Sequence, residues 1–223
     1  VPFIVLGENE KNIIEQTLKA KRVFSLPNCV DLQDAESFER VYNWIEPLNI
    51  GYIGRIAVTK GMENLLQACR ELKAKQIPFI VKLAGAEEVK DSFLPLFDSY
   101  LGHQFIYAGI VSGEKKNIFL KSLDVFVLPS YFEGLPMSLL ECMSYGAVPV
   151  TTNVGSIGDV VEDCKNGLFI KMKDTDSIIE ALTNLNNDRE MLSRLGNEAR
   201  ATIFQNFNPH KYIQNLNAIY GMA

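Results

Sequence analysis

Residues 125–152 read VFVLPSYFEGLPMSLLECMSYGAVPVTT, and this stretch decides the fold. It opens with the apolar run Val125–Leu128 and closes with the apolar and β-branched run Val148–Thr152. Runs without polar alternation are typical of strands that are buried on both faces. Between them we expect a helix over Pro136–Tyr145, because proline suits the first turn of a helix. A strand, a helix and a second strand in succession predict a right-handed βαβ unit of a parallel sheet.

The same alternation continues on both sides of this unit. Apolar runs predict further strands at Asn49–Gly54, Phe79–Ala84, Phe105–Ala108 and Leu168–Ile170. Helical patterns fall between them, over Met62–Lys75, after Glu87 and around Lys115–Ser122. The fold class is therefore predicted to be α/β, with a Rossmann-like doubly wound parallel sheet.

The two ends of the chain depart from this alternation. The first 48 residues begin with another apolar strand, Val1–Gly7, followed by a helix-like stretch and a polar connection. From Asp174, a good N-cap residue, the pattern is helical almost to the end. Asn208 and Pro209 interrupt it, and we expect one more helix after them.

Composition excludes several classes of protein. Of the 223 residues, 47% are hydrophobic and the formal net charge is −5, so the chain lacks the basic field that a nucleic-acid partner needs. Its apolar runs are too short to cross a bilayer. The 4 cysteines form no CxxC pair and only 2 histidines accompany them, so we expect reduced core thiols, no zinc site and a cytoplasmic protein. The chain starts with Val rather than Met, and we expect it to be a piece of something longer.

Ligands of a doubly wound sheet bind outside the carboxyl ends of the strands. The loop after Asn49–Gly54 reads GRIAVTKG, residues 54–61, and places Arg55 and Lys60 between a strand and a helix. Arginine offers a planar fork of donors and lysine a mobile point charge, which together suit a diphosphate. The alternative is that both side chains are solvated on a surface loop.

The loop after Val125–Leu128 leads into a helix that carries two carboxylates. Glu133 precedes the predicted helix, and Glu141 lies about a turn and a half inside it. The unpaired N–H groups and the dipole at the start of a helix attract phosphate. A carboxylate beside a phosphate would repel it unless it accepted hydrogen bonds from sugar hydroxyls. The alternative is that Glu141 is solvated and that Glu133 only favours the helix terminus.

Five segments, in order along the chain, resemble motifs of the group 1 family of retaining glycosyltransferases. FEGLPMSLLECMSYGAVPV is similar to the family signature, with two glutamates separated by seven residues, and GRIAVTKG to its phosphate loop. LPNCVD is similar to the Pro-Asn-Gly-Val-Asp crossing into the second domain, with Cys29 in place of glycine. LDVFVLPS and NVGSIGDVVEDCKNGLFI resemble the strand before the signature and the stretch after it.

The resemblance implies the second half of a two-domain GT-B enzyme. Residues 1–26 would be the tail of the N-terminal domain or a linker region, 27–207 the nucleotide-sugar-binding domain, and 208–223 a helix returning toward the N-terminal domain. The whole enzyme would transfer a hexose from a UDP-, GDP- or ADP-linked sugar, with retention, to a polysaccharide or glycolipid acceptor held by the other half. The enzyme would be located in the cytoplasm, and peripheral contact with the inner face of the membrane stays an open alternative. The fragment alone would be inactive.

The resemblance also implies roles for single residues. Arg55, Lys60 and Glu133 would be catalytic, since the two cations neutralise the diphosphate and Glu133 faces the donor sugar. Glu141 would bind the ribose hydroxyls, and no metal or cofactor is expected. The other donor-binding positions would be Gly54 at the phosphate loop, Gly109, Ile110 and Val111 at the nucleobase, and Gly134, Leu135, Met137, Ser138 and Leu139 at the sugar and the distal phosphate.

Three other classes of protein compete with this interpretation. The first is a nucleotide-sugar-binding module without catalysis, although all four charged positions are intact. The second is another GT-B enzyme, such as a sugar-nucleotide epimerase or a phosphorylase, the latter with a pyridoxal lysine context that is not seen. The third is a nicotinamide dehydrogenase, which would need Gly-x-Gly-x-x-Gly after its first strand. Where the resembled family usually has Gly-x-Gly, this chain has Gly85-Ala86-Glu87.

Overall fold

A computed structural model describes residues 2–42, 45–90 and 92–222. The strands are β1 (Phe3–Val5), β2 (Val23–Ser25), β3 (Leu48–Ile53), β4 (Phe79–Ala84), β5 (Phe105–Tyr107), β6 (Val125–Leu128), β7 (Val148–Thr152) and β8 (Leu168–Ile170). The helices are α1 (Glu8–Leu18), α2 (Gln33–Glu36), α3 (Met62–Ala74), α4 (Leu94–Leu101), α5 (Gly113–Lys121), α6 (Met137–Ser144), α7 (Thr175–Asn187), α8 (Arg189–Asn206) and α9 (Pro209–Met222).

The main sheet has six parallel strands in the order β5-β4-β3-β6-β7-β8. The chain begins at the centre with β3, builds outward to β5, then returns to the centre with β6 and builds the other way. This is the strand order of a doubly wound Rossmann-like sheet, so the predicted fold class is confirmed. The order reverses between β3 and β6, where Ile50 lies opposite Val125. The loops that follow these two strands therefore meet at one edge of the sheet.

Helices cover the sheet and leave its central strands without solvent contact. Every residue of β6 and β7 is buried, as the unbroken apolar runs predicted. Helix α3 packs against α4 and α7, whereas α6 packs against α8. Cys69 on α3 and Cys142 on α6 are buried core thiols, but Cys29 is only half-buried and Cys164 is exposed. The expectation of four core thiols was therefore wrong for two of them.

Side-chain caps explain where several helices begin. The Asp174 carboxylate accepts hydrogen bonds from the backbone N–H groups of Asp176 and Ser177, at 3.0 and 3.3 Å, so its predicted N-cap role is confirmed. Glu87 accepts from the N–H groups of Phe93 and Leu94, at 2.7 and 2.8 Å, and holds the start of α4. None of the helices in the described part of the chain combines the length and the hydropathy that a bilayer span requires.

Residues 3–25 form a small βαβ unit that lies outside the main sheet and contacts the main domain through Gly7 and Asp159. Strand β1 pairs with β2 in parallel, and α1 connects them. The predicted strand Val1–Gly7 is shorter in the structure, and Val1 lies outside the described residues. Gly7 packs so closely on the main domain that a Cβ there would lie 2.1 Å from Asp159 Oδ2. The division at residues 26 and 207 stays a prediction.

We expect Gly61 to be essential for stability. Its φ is +71°, and an added Cβ would lie 2.2 Å from the carbonyl oxygen of Pro129. Gly61→Ala should lower the free energy of unfolding, measured in urea, by about 3 kcal/mol, since backbone strain and a backbone clash add together. Gly113→Ala is the control, because Gly113 has a φ of +52° and nothing within 4 Å. Its cost should be about 1 kcal/mol, that of the left-handed conformation alone; equal losses would show that the Pro129 contact is unimportant.

Candidate functional site

The loop after β3 and the loop after β6 are joined at the reversal of strand order. The backbone N–H of Tyr131 donates to the carbonyl of Thr59 at 2.9 Å. Next to this bond, Lys60 Nζ lies 2.6 Å from Glu133 Oε1. The hydroxyl of Ser130 donates to the same oxygen at 2.7 Å. Two residues predicted for one site, Lys60 and Glu133, are therefore in direct contact.

The Lys60–Glu133 pair is largely shielded from water. The exposed fractions of the two side chains are 18% and 10%. Charges removed from water must be paired and hydrogen-bonded, and Oε1 of Glu133 receives both a cation and a hydroxyl. Within the described residues, Oε2 of Glu133 receives no hydrogen bond. This arrangement holds one carboxylate oxygen in place and leaves the other able to accept a bond from a ligand hydroxyl.

Arg55 lies on the same loop but binds a different carboxylate. Its guanidinium is 2.6 Å from Glu88 Oε1, and both side chains are well exposed, at 57% and 43%. The backbone of Arg55 is fixed by the hydroxyl of Tyr52, which donates to its carbonyl at 2.6 Å. Burial raises the pKa of Tyr52, and the nearby Glu133 carboxylate raises it further, so the hydroxyl stays protonated. The side chain of Arg55 is thus exposed to solvent, whereas its backbone is anchored.

Backbone contacts connect the ends of three neighbouring strands. The N–H of Gly54 donates to Ala84 at 3.0 Å, and the N–H of Gly85 donates to Gly109 at 2.8 Å. Gly85 approaches Gly54 so closely that a Cβ would lie 1.8 Å from its carbonyl oxygen. Of the other predicted nucleobase positions, Ile110 is 78% exposed and Val111 packs partly on the core. Glycine is required at position 85 for packing between loops.

Helix α6 begins at Met137, with Pro136 as its N-cap, one residue later than predicted. Within the described residues, the N–H groups of Met137 and Ser138 donate to no protein acceptor. The N–H of Leu139 is different, because it donates to the carbonyl of Pro136 at 3.2 Å. The terminus therefore offers Met137 and Ser138 as anion donors, whereas Leu139 already has a partner and a buried side chain.

Neighbouring segments fix the loop before this helix. The carbonyl of Gly134 accepts from the N–H of Ser156 at 3.0 Å. The carbonyl of Leu135 accepts from the side-chain amide of Asn28 at 3.1 Å. Asn28 belongs to the LPNCVD segment, so the predicted domain crossing helps to orient the two predicted binding positions.

Glu141 is neither a fully buried nor a fully solvated carboxylate. Its Oε1 lies 2.8 Å from Lys116 Nζ of helix α5, and the exposed side-chain fractions are 31% for Lys116 and 22% for Glu141. Sequence reasoning missed Lys116, which nothing in the local pattern distinguishes from Lys115. It also missed Ser130, which lies only three residues before Glu133.

Metal-binding side chains are not grouped in the described residues. Within residues 2–42, 45–90 and 92–222, no cluster of three or more His, Cys, Asp or Glu side chains is arranged to hold an ion. The cations of the candidate site are the side chains of Arg55, Lys60 and Lys116.

Comparison with known proteins identifies the family. The family described as "Glycosyl transferases group 1" matches residues 34–202, more than half of the chain. The chain belongs to the group 1 glycosyltransferases. The family match spans β3 to β8 and all the charged residues of the candidate site.

Two curated relatives are similar in sequence to this group 1 glycosyltransferase over most of its length. It is 32% identical over 158 residues to the sulfoquinovosyl transferase SQD2 of Arabidopsis thaliana, an overlap of 70% of this chain and 29% of the relative. It is 28% identical over 170 residues to the putative colanic acid biosynthesis glycosyltransferase WcaL of Salmonella typhimurium, covering 73% of this chain and 42% of the relative. The chain spans about half the length or less of the curated relatives it matches.

A solved structure shows the fold of the group 1 glycosyltransferase. A point mutant of S. aureus TarM, in complex with Fondaparinux, alpha-GlcNAc-glycerol and UDP, superposes with a TM-score of 0.85 at 19% sequence identity. The superposition covers 98% of this chain and 43% of TarM. The fold is that of one half of a GT-B glycosyltransferase.

We expect the two charges of the Lys60–Glu133 pair to be energetically coupled. Lys60→Met should lower the free energy of unfolding by about 3 kcal/mol, because it leaves a shielded carboxylate without its cation. The double variant Lys60→Met/Glu133→Gln should recover part of that loss, with a coupling energy of about 1–3 kcal/mol by urea denaturation. The exposed ion pair of Lys165 with Glu162 is the control, and Lys165→Met should have no measurable effect. Additive losses at Lys60 and Glu133 would contradict the coupling.

Proposed function

We propose that this chain binds a nucleoside-diphosphate sugar at the reversal of strand order. In the complete enzyme it would transfer the sugar to a saccharide or glycolipid acceptor with retention of anomeric configuration. The observation that carries the proposal is the shielded Lys60–Glu133 pair beside the start of α6, with Arg55 on the same loop. Family membership supports the reaction class, and the UDP in the TarM structure supports the class of donor.

The leaving diphosphate accounts for the cations. Negative charge develops on it as the glycosidic bond breaks, and fixed positive groups stabilise that charge without reorganisation. Lys60 is held in place by Glu133, and the amides of Met137 and Ser138 add the positive end of a helix dipole. Arg55 would leave Glu88 and bind the diphosphate through its planar fork of donors. No step of this scheme requires a metal.

The carboxylates would bind the neutral parts of the donor. Oε2 of Glu133 would accept a hydrogen bond from a hydroxyl of the donor sugar, while Oε1 stays with Lys60 and Ser130. Glu141 would bind the ribose, and the backbone of residues 109–111 would lie against the base. In this scheme retention arises because the acceptor attacks the sugar on the face that the nucleotide leaves.

The relatives lead to a proposal for the acceptor of this enzyme and for its location in the cell. The names of the two relatives concern sulfoquinovose transfer and colanic acid synthesis. A saccharide or lipid-linked acceptor, used on the cytoplasmic side of a membrane, is the corresponding proposal for this protein. Acceptor recognition would lie in the part of the enzyme that this chain does not contain.

Calorimetric titration with UDP, GDP and ADP tests the proposal. One of them should bind, and Arg55→Ala should weaken it by roughly 1.5–3 kcal/mol, the contribution of a charge-assisted hydrogen bond. EDTA should leave the affinity unchanged. Arg70→Ala is the control, because Arg70 is an exposed arginine of α3 that stacks on Tyr100 at 4.0 Å. Binding that requires an added metal, or that survives Arg55→Ala unchanged, would contradict the proposal.

Removing the partner of Arg55 should have the opposite effect. In the wild type, Arg55 must break its ion pair with Glu88 before it binds the diphosphate. Without the Glu88 carboxylate there is no ion pair to break. Glu88→Gln should therefore increase nucleotide affinity by about threefold, because an exposed ion pair contributes up to about 1 kcal/mol. Glu190→Gln, at an exposed carboxylate of α8, should leave the affinity unchanged. Weaker binding by Glu88→Gln would show that Glu88 supports Arg55 in the complex.

A further inference from the structure

A polar pocket lies between α5, the C-terminal half of α6 and the segment around α2. It has a volume of about 220 Å³, and Lys116 and Glu141 form part of its wall. Gly113, at the start of α5, also lines it, as do Asp34 and Asn117, which are hydrogen-bonded to each other. Because Gly113 follows the loop of residues 109–111 by two residues, the pocket reaches the end of that loop.

The ion pair in this pocket offers a donor and an acceptor side by side. Oε1 of Glu141 is 2.8 Å from Lys116 Nζ. Within the described residues, no other hydrogen bond reaches the Glu141 carboxylate, and the Lys116 ammonium makes no other bond. An ammonium has three protons and a carboxylate two oxygens, so both retain hydrogen-bonding capacity.

The charges of the pocket discriminate between classes of ligand. An anion would meet Glu141 and Asp34, and a cation would meet Lys116. A neutral group with adjacent hydroxyls meets neither difficulty, because each hydroxyl both donates and accepts. It would donate to the carboxylate and accept from the ammonium. A vicinal diol therefore fits the pair better than a charged group does.

We propose that Lys116 donates to the 2′,3′-diol of the nucleotide ribose beside Glu141, and that Lys116 determines selectivity for ribo- over deoxyribonucleotides. This inference rests on the proposed function, in which Glu141 faces the ribose. Glu141 accepts the hydroxyl protons. Lys116 donates to a hydroxyl oxygen and holds Glu141 in the orientation that the diol requires. The base then lies toward residues 109–111, which lead directly into the helix that carries Lys116.

A purely structural role explains the pair less well. Both side chains are partly exposed, so water screens part of their attraction. Glu141 also interrupts a helix whose neighbouring residues Leu140 and Cys142 are buried. The pocket leaves the Glu141 carboxylate partly accessible to solvent.

The test compares ribose with deoxyribose in binding to the 223-residue chain. The probes are UDP, GDP and ADP and their 2′-deoxy and 3′-deoxy counterparts, titrated by calorimetry. Wild type should prefer the ribonucleotide by about tenfold, since one hydrogen bond to a charged group is lost in each deoxy form. Lys116→Met should weaken the ribonucleotide by about tenfold and reduce the preference to about twofold or less. Lys116→Arg, which keeps the cation, should retain most of it.

Lys115→Met is the matched control, because Lys115 is the adjacent exposed lysine and does not line this pocket. It should leave affinity and preference unchanged, and thermal unfolding should show that both methionine variants are folded. A ribose preference that persists in Lys116→Met, while binding still depends on Arg55, would overturn the role of Lys116 and leave the proposed function intact. Failure of all three ribonucleotides to bind wild type at millimolar concentration would overturn both.

Discussion

Strand β3 is hydrogen-bonded to β4 on one side and to β6 on the other, and the site depends on this placement. Because both neighbours are parallel to β3, the loops after β3 and β6 leave the same edge of the sheet side by side. Gly61 then lets the first loop approach the carbonyl of Pro129 in the second. A side chain at residue 61 would separate the loops and move Lys60 away from Glu133.

The charges of the site are arranged as pairs of unequal exposure. Lys60 with Glu133 is the most shielded pair, Lys116 with Glu141 is intermediate, and Arg55 with Glu88 is the most exposed. Shielded pairs are rigid because separating them leaves a charge without water or a partner. Exposed pairs separate at little cost. The site thus combines a fixed cation beside the helix terminus with an arginine that is able to change its partner.

This division of roles matches a donor with charged and neutral parts. The diphosphate needs cations that are already in place when negative charge develops, which the Lys60–Glu133 pair and the start of α6 would provide. The sugar and the ribose need acceptor oxygens that do not repel the diphosphate. Glu133 and Glu141 are each neutralised by a lysine, so they are able to accept hydrogen bonds from hydroxyls close to a phosphate.

The sequence by itself determined the sheet and most of its elements. Strands β4, β6, β7 and β8 have the predicted bounds, and α3 and α6 differ by a residue or so at their ends, because burial and helix periodicity are properties of short stretches of chain. Only the tertiary structure decided which charges are paired. Glu88 and Lys116 lie 33 and 25 residues from the side chains they bind, and folding of the sheet brings them there. A local pattern contains no information on contacts made at that separation, which is why the protein partners of Arg55 and Glu141 could not be predicted from the sequence.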